Sequence, residues 1–271
     1  MRFENLPADS FTFAHSYAVL DPQQVLLLAG DPDEVYPLAS VTKPIAAYAV
    51  LTLVAESKLR LDEEVKLPEL DPSVTIQDLL AHTSGVPMLK GEALLAPRRR
   101  RIYSNYGFDL LAKFLTQRFG ISANELIQNQ VLTPLGMDTC EISGSIAYSG
   151  KSSLDSLMRF AAELLSPQLV SKEFLLAAVS PQFPGLPGIL PGFGRQTDNL
   201  WGLGFELRGT KSPHWLSSSF TPSTFGHFGQ SGSFLWVDPE INRAGVFLGE
   251  LPFSEAHQQV WPGLTEQMRD L

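Results

Sequence analysis

Residues 38–48 read LASVTKPIAAY, a short polar segment that runs directly into a long apolar stretch. Ser40 and Lys43 are three residues apart in it, so on a helix their side chains would share one face, with Cβ atoms about 5–6 Å apart. A serine hydroxyl is a weak nucleophile near neutral pH and needs a base beside it. A lysine can be that base when burial or a neighbouring cation lowers its pKa.

The apolar stretch predicts a buried helix from about Ser40 to Leu59, because it is apolar on nearly every face. Pro44 is tolerated in a first helical turn but would kink the helix later, so it fixes the start near Ser40. Free backbone N–H groups and the helix dipole would then favour an anion at the serine. The alternative is that Ser40 serves only as an N-cap, the commoner role for such a serine.

The composition is that of a globular protein, with 271 residues and 44% hydrophobic content. A net charge of −9 and a pI near 5.0 argue against nucleic acid or an anionic membrane as partner. The single cysteine, Cys140, excludes an internal disulfide. Residues 1–7 lack the apolar core of a signal peptide, and no apolar run is long enough to span a membrane. We therefore expect cytoplasmic localisation, and no metal-ligand cluster or cofactor motif is present.

Both ends of the chain carry strand patterns. Residues 13–20 and 25–29 predict a hairpin, as do residues 233–237 and 244–248, and residues 254–271 predict a helix that lies on the sheet. Helices are predicted between them. The expected fold is therefore α+β, an antiparallel sheet built from both chain ends and flanked by helices, with an inserted, mainly helical region. We expect residues 1–60 and 200–271 to form the sheet subdomain and residues 61–199 the helical one, as one catalytic unit.

The middle of the chain supplies polar groups between the predicted helices. Thr75 to Asp78 has the pattern of a capping box, and His82 follows at the end of that short helix, where a histidine is more often structural than catalytic. Arg98 to Arg101 predicts a solvated loop or an anion-binding edge. Tyr103 and Asn105 lie two residues apart on a predicted loop and can both point into a cleft. Helices are predicted at residues 108–119, 121–132 and 152–165, a loop or lid at 181–194, and a strand at 201–207.

Four motifs stand in one order along the chain: Ser40-Val-Thr-Lys43, Leu80-Ala-His82-Thr-Ser-Gly85, Tyr103-Ser-Asn105-Tyr-Gly and His227-Phe-Gly229-Gln-Ser-Gly232. Together they resemble the serine β-lactamase and penicillin-binding-protein superfamily, in its branch of class C β-lactamases, D-aminopeptidases and family VIII carboxylesterases. The Pro134-Leu-Gly-Met137 turn and the Gly202-Leu-Gly-Phe205 segment resemble that branch too. The resemblance covers the chain from about Phe13 to the C-terminus.

The resemblance implies roles for individual positions. Ser40 matches the acylated nucleophile, Lys43 its partner base, and Tyr103 the tyrosine that passes the proton to the leaving group. Asn105 matches the asparagine that holds the acyl side of the substrate. His227 to Gly229 falls where many relatives have Lys-Thr-Gly, and the backbone N–H groups of Ser40 and Gln230 would form the oxyanion hole. Whether Lys43 or Tyr103 is the general base stays open.

Two departures from that pattern bear on the substrate. His227 replaces a lysine and Phe228 replaces a threonine, and in relatives those two groups help bind a carboxylate. We therefore expect a serine hydrolase that acts through an acyl-enzyme on a small ester, as a carboxylesterase. The alternatives are a β-lactamase or D-amino-acid peptidase or amidase, and a catalytically idle sensing domain. Retention of both Lys43 and Tyr103 argues against the idle domain.

Overall fold

The computed structural model describes Ala8 and residues 11–271. Its strands are β1 (His15–Leu20), β2 (Val25–Ala29), β3 (Val35–Ala39), β4 (Glu141–Ile142), β5 (Gly150–Ser153), β6 (Gly188–Leu190), β7 (Gly194–Gln196), β8 (Glu206–Leu207), β9 (Phe225–Gly229), β10 (Ser233–Asp238) and β11 (Arg243–Gly249). Its helices are α1 (Thr42–Ala55), α2 (Ile76–Leu80), α3 (Asn105–Phe119), α4 (Ala123–Ile127), α5 (Leu154–Leu165), α6 (Lys172–Ala178) and α7 (Glu255–Arg269).

The main sheet joins the two ends of the chain. Its six strands follow the order β2-β1-β11-β10-β9-β8, and each neighbouring pair is antiparallel. The first strand therefore lies beside the last, with Val19 opposite Gly245. Both predicted hairpins are present, and the helical segments between them are inserted between β3 and β8. The predicted α+β fold is confirmed, whereas the division into two subdomains stays a prediction.

The two faces of this sheet pack against different helices because side chains alternate along each strand. Leu235, Val246 and Leu248 belong to the larger core, which also contains α1 and α5. The alternate positions on the same strands belong to an aromatic core with Trp261 of α7, whose ring is fully buried. Truncating such a buried aromatic to alanine typically costs about 3–5 kcal/mol. Helix α7 therefore anchors the sheet from the face opposite α1.

Helix α1 is buried as its composition predicted: every residue from Thr42 to Leu53 is buried. The helix begins at Thr42, with Val41 in the N-cap position and no side-chain cap. Ser40 therefore precedes the cap, and its interpretation as a mere N-cap is wrong. Helix α2 has the predicted capping box, in which the Thr75 hydroxyl and the Asp78 carboxylate satisfy each other's backbone N–H groups.

Several predicted boundaries are corrected by long-range contacts. Helix α3 begins at Asn105 rather than 108, and the helix predicted from 121 begins at Ala123 and turns into a π-helical segment, Gln128–Leu132. Residues 150–153 form β5 beside β3, so α5 starts at Leu154. Half of the predicted lid forms the hairpin β6–β7, and the strand predicted at 201–207 is reduced to β8. Helix α6 was not predicted, although Ser171 is an evident N-cap.

Within Ala8 and residues 11–271, no helix is both long and apolar enough to cross a bilayer. The inference on the absence of a signal peptide rests on residues 1–7, which lie outside the described residues.

Candidate active site

Ser40 lies at a tight turn between β3 and α1. Ala39 before it has φ +43°, a left-handed conformation that is uncommon for a residue with a side chain. Such strain persists only where the surroundings impose it, and it is concentrated at functional sites. Here the Thr42 hydroxyl donates to the Ala39 carbonyl at 2.6 Å and accepts from the Gly150 N–H at 2.9 Å, which holds the turn. The turn leaves Ser40 partly exposed at the wall of a cavity.

Lys43 follows in the first turn of α1 and is fully buried. Its Nζ lies 2.7 Å from Tyr103 Oη, 2.6 Å from Asn105 Oδ1, 2.9 Å from the Ala147 carbonyl and 3.3 Å from Ser40 Oγ. Burial lowers the pKa of Lys43 well below its ordinary value, and the charge of Asp109 opposes this only in part. The amine is therefore shifted towards the neutral form that a general base requires.

Tyr103 contacts both Lys43 and Ser40, and its hydroxyl lies 2.6 Å from Ser40 Oγ. The ring is held by the rings of His82, Trp201 and His227, at centroid distances of 4.9, 5.8 and 5.7 Å. Burial raises the pKa of Tyr103, and its hydrogen bond to Ser40 offsets this only in part. Tyr103 is therefore a neutral phenol rather than a phenolate.

Asn105 is the first residue of α3, not a loop residue as predicted. Ser104 caps this helix by accepting from the Gly107 N–H at 2.7 Å, and its own hydroxyl donates to the Pro87 carbonyl. The cap fixes the direction in which α3 leaves the loop and so the position of Asn105. The Asn105 Oδ1 accepts from Lys43, while the side chain also lines the cavity beside Ser40. Asn105 can therefore position the base and meet a substrate.

Strand β9 forms the opposite wall with His227. Its Nδ1 donates to the Phe228 carbonyl at 2.5 Å, which leaves Nε2 without a partner among the described residues. Burial, aided by the charge of Lys43, lowers the pKa of His227 to about 3, so the ring is neutral at physiological pH. Phe228 packs with Trp261, 5.9 Å between ring centroids, in the aromatic core under α7. The position that carries threonine in relatives therefore contributes no polar side chain here.

Gly229 is the last residue of β9 and lies directly beside the turn that holds Ser40. A Cβ at this position would lie 2.3 Å from the Leu38 carbonyl oxygen and 3.2 Å from the Ala39 Cβ. Only a glycine therefore allows β9 to approach β3 this closely. Gln230 follows it at the cavity wall, as the expected oxyanion-hole position requires.

Replacing Gly229 by alanine should move the end of β9 away from Ser40. Displacements of about 1 Å in an active site can cost about a hundredfold in rate. We expect kcat/KM for p-nitrophenyl butyrate to fall about a hundredfold, with the far-UV circular dichroism spectrum retained. Full activity in the folded Gly229→Ala variant would show that this close approach has no catalytic role.

These groups surround a cavity of about 360 Å³. Its described lining contains no lysine or arginine and is mostly apolar: Ala39, Ser40, Met88, Leu89, Tyr103, Asn105, Tyr148, Leu190, Pro191, Trp201, Glu206, His227, Phe228 and Gln230. Among the described residues, no group of three or more His, Cys, Asp or Glu side chains could hold a metal ion. The cavity thus offers the Ser40 hydroxyl and an apolar wall for the chemistry, and the buried Lys43 amine lies 3.3 Å from that hydroxyl.

The arginine run has structural roles that its pattern did not reveal. Arg98 makes a two-point ion pair with the buried Asp78, at 2.6 and 2.8 Å. Arg101 is buried, and its guanidinium donates to the backbone carbonyls of Ala81, Gln182 and Phe183. The prediction of a solvated loop is therefore wrong for the buried Arg101, whereas Arg98 is exposed as predicted and also ion-paired. Neither guanidinium lines the cavity beside Ser40.

A buried ionic cluster behind the cavity was also missed. The Glu206 carboxylate accepts from Lys211 Nζ at 2.9 Å and Trp215 Nε1 at 2.7 Å, and lies 2.8 Å from His214 Nε2. Burial alone would raise the pKa of Glu206, but Lys211 and His214 outweigh it and hold the pKa below its ordinary value. The cluster therefore presents an ionised carboxylate at the cavity wall. No sequence motif links these residues, so nothing in the sequence indicated the cluster. In the structure it is recognised by the burial of Lys211, which is unusual for a lysine.

Comparisons with known proteins agree with this geometry. The sequence profile of the family described as Beta-lactamase matches residues 14–265. A crystal structure of a β-lactamase (Mb2281c) from Mycobacterium bovis is 41% identical, with a TM-score of 0.91 over 96% of each chain. The structure of EstA from Arthrobacter nitroguajacolicus is 16% identical, with a TM-score of 0.75 over 95% of this chain and 92% of that one, a likeness in fold alone.

A local match connects the sequence to an esterase. Esterase EstB of Burkholderia gladioli is 51% identical over 71 residues, which are 21% of this chain. The match spans only 18% of the length of EstB.

Proposed function

Since this chain belongs to the β-lactamase family, we propose that it is a serine hydrolase that acts through an acyl-enzyme on small neutral esters, as a carboxylesterase. The observation that carries the proposal is the contact of Ser40 Oγ with Tyr103 Oη at 2.6 Å, beside the buried amine of Lys43. A nucleophile and a proton carrier thus meet at the wall of one cavity, with a desolvated base in contact with both.

The contacts of Lys43 support one path for the proton. The Asn105 Oδ1 and the Ala147 carbonyl can only accept, so a neutral amine uses its two N–H groups on them. The lone pair of the amine is then left for the Tyr103 hydroxyl at 2.7 Å. Tyr103 in turn can take the proton of Ser40 as it passes its own to Lys43. This arrangement makes Tyr103 the relay and Lys43 the final acceptor.

The reaction follows from this relay. Ser40 Oγ attacks the ester carbonyl while its proton moves through Tyr103 to Lys43, and the N–H groups of Ser40 and Gln230 receive the developing oxyanion. When the intermediate collapses, the proton returns to the departing alcohol and an acyl-Ser40 remains. A water molecule then attacks the acyl-Ser40 with the same proton transfers, and the carboxylic acid is released. Asn105, which lines the cavity beside Ser40, is placed to hold the acyl group.

A neutral substrate is supported by the charges of the wall. The described lining has no lysine or arginine, His227 is neutral, and Glu206 is an ionised carboxylate. An anion there would lose its water without gaining a cationic partner, which is costly. A short ester makes no such demand and can be held by burial of apolar surface.

The pH dependence should report the ionisation of Lys43. Protonated Lys43 cannot accept the proton, so activity is lost as the pH falls through its pKa, which burial places well below the ordinary value. We expect kcat/KM to rise with pH to a plateau, in one step that lies well below the ordinary pKa of lysine. Tyr103, whose pKa is raised, should add no second step in the neutral range.

Asp109 supplies a matched test of that assignment, because its charge raises the pKa of Lys43. The Asp109→Asn variant should shift the rise in kcat/KM to lower pH, whereas Glu125→Gln, an exposed change on α4, should leave it in place. An unmoved profile in Asp109→Asn, or a shift to higher pH, would exclude Lys43 as the titrating group.

β-Lactam hydrolysis is the second candidate, favoured by the extent of the likeness to the Mycobacterium bovis protein. The deciding experiment compares kcat/KM for p-nitrophenyl butyrate with that for nitrocefin. Nitrocefin carries a carboxylate, which would lie against a cavity wall whose described lining has no lysine or arginine. We expect clear ester turnover and little or no nitrocefin turnover. A ratio that favours nitrocefin would replace the esterase by a β-lactamase, and inactivity on both, with no labelling of Ser40, would favour an idle sensing domain.

A further inference from the structure

A second cavity of about 310 Å³ adjoins the one at Ser40, and nothing in the proposed chemistry uses it. Met88, Tyr103 and Pro191 line both cavities, so the side chain of the relay tyrosine stands between them. The rest of the second lining comes from residues 87–102, before Tyr103, and from Ile189 of β6. The two cavities therefore adjoin at Tyr103.

The second cavity has several exposed apolar side chains in its lining. Met88, Leu95 and Ile189 are large apolar side chains of that lining that are at least 42% exposed. Single exposed apolar side chains need no explanation, whereas a cluster of them around a cavity marks a binding surface. Of the three charged residues in the lining of the second cavity, Arg101 has its guanidinium engaged with backbone carbonyls, and Arg100 and Glu92 are exposed. The apolar side chains of this lining can therefore cover an apolar group, while Arg100 and Glu92 can keep their charges in solvent.

The position of Tyr103 indicates whether this apolar group belongs to the acyl part or to the alcohol part of the ester. The acyl part stays on Ser40, in the cavity that Asn105 lines. The alcohol oxygen must come within hydrogen-bond reach of Tyr103 to receive its proton as the C–O bond breaks. What is attached to that oxygen then lies next to Tyr103 and away from Ser40, where the second cavity begins.

We propose, on the basis of the function inferred above, that the second cavity binds the alcohol part of the substrate. The substrates are then esters of extended apolar alcohols, of about six to eight carbons or a fused aromatic ring, a size suited to a small ligand pocket. During acylation the Ser40 Oγ–C bond forms, the ester C–O bond breaks, and the alcohol leaves with the proton that Tyr103 returns. No oxidant, reductant or metal is needed.

A series of alkyl acetates tests this assignment, because the acyl group and hence the acyl-enzyme are the same throughout. Acid release from ethyl, butyl, hexyl and octyl acetate would be followed in a pH-stat. Burial of one CH₂ group corresponds to about a fourfold gain, so kcat/KM should rise about fourfold per CH₂ from ethyl to hexyl acetate. Turnover that does not depend on alcohol length would overturn the proposal and leave the esterase function intact. No turnover of any acetate or of p-nitrophenyl butyrate would instead remove the esterase function itself.

Two substitutions locate the effect in the second cavity. Ile189→Asp places a charge in its wall and Ala93→Trp fills it, and neither residue lines the cavity at Ser40. In both variants the ratio of kcat/KM for hexyl over ethyl acetate should fall at least tenfold, while the ratio for ethyl butyrate over ethyl acetate should stay unchanged. Leu176→Asp, at an exposed apolar position on α6 that lines neither cavity, is the control and should preserve both ratios. An unchanged hexyl-to-ethyl ratio in both cavity variants would contradict the assignment.

Discussion

Replacing Ser40 by alanine is expected to lower kcat for p-nitrophenyl butyrate by about 10⁴- to 10⁶-fold, since the variant has no atom that can form the acyl-enzyme. The fold should be preserved. Ser40 is partly exposed and precedes the N-cap of α1, so its hydroxyl contributes little to the helix. We expect a melting temperature within a few degrees of the parent protein and an unchanged circular dichroism spectrum.

Ser231 provides the control for that experiment. It is buried near the same turn, within 3.1 Å of a Cβ built on Gly229, but its hydroxyl has no hydrogen-bond partner among the described residues. Ser231→Ala should keep kcat within a few fold of the parent value. Equal loss in both variants would point to a structural effect, and retained activity in pure Ser40→Ala would exclude covalent catalysis through this residue.

Removing the base or the relay should produce the second-largest effect. Lys43→Met fills the buried position with an apolar chain of similar length, and Tyr103→Phe keeps the ring against His82, Trp201 and His227. General base catalysis contributes about 10²- to 10⁴-fold, so each variant should lose about that factor in kcat/KM.

The double variant tests whether the two side chains act in one relay. Groups that act as a unit are not additive, so Lys43→Met with Tyr103→Phe should lose little more than either single variant. Stopped-flow measurements of the p-nitrophenol burst give the acylation rate directly. Losses that multiply in the double variant would show that the two side chains act independently.

The elements that were predicted well are those determined by local sequence. The capping box of α2 needs only Thr75 and Asp78, and the burial of α1 follows from an apolar composition on every face. The hairpins at the two chain ends could also be predicted from the sequence, because in each of them two apolar runs flank a recognisable turn. The meeting of Ser40, Lys43 and Tyr103 was predicted from the order of the motifs, and the structure brings them together, while their roles stay predictions.

What the sequence did not reveal depends on contacts between distant segments. The Ala147 carbonyl that helps to orient Lys43 lies 104 residues away, on a loop without a motif. Arg101 looked like a surface residue because its acceptors are backbone carbonyls, which leave no trace in a sequence. The ion pair of Glu206 and Lys211 is the exception: the two residues are only five apart in the chain, but the contact crosses an irregular loop that no spacing rule predicts.

The central claim is that Ser40 is the nucleophile, and covalent labelling tests it most directly. The protein would be incubated with a fluorophosphonate, its intact mass measured, and the modified tryptic peptide sequenced by tandem mass spectrometry, with Ser40→Ala treated in parallel. We predict one adduct per chain, located on Ser40, and none in the variant. A label on another residue, or an adduct that forms equally in Ser40→Ala, would contradict the account.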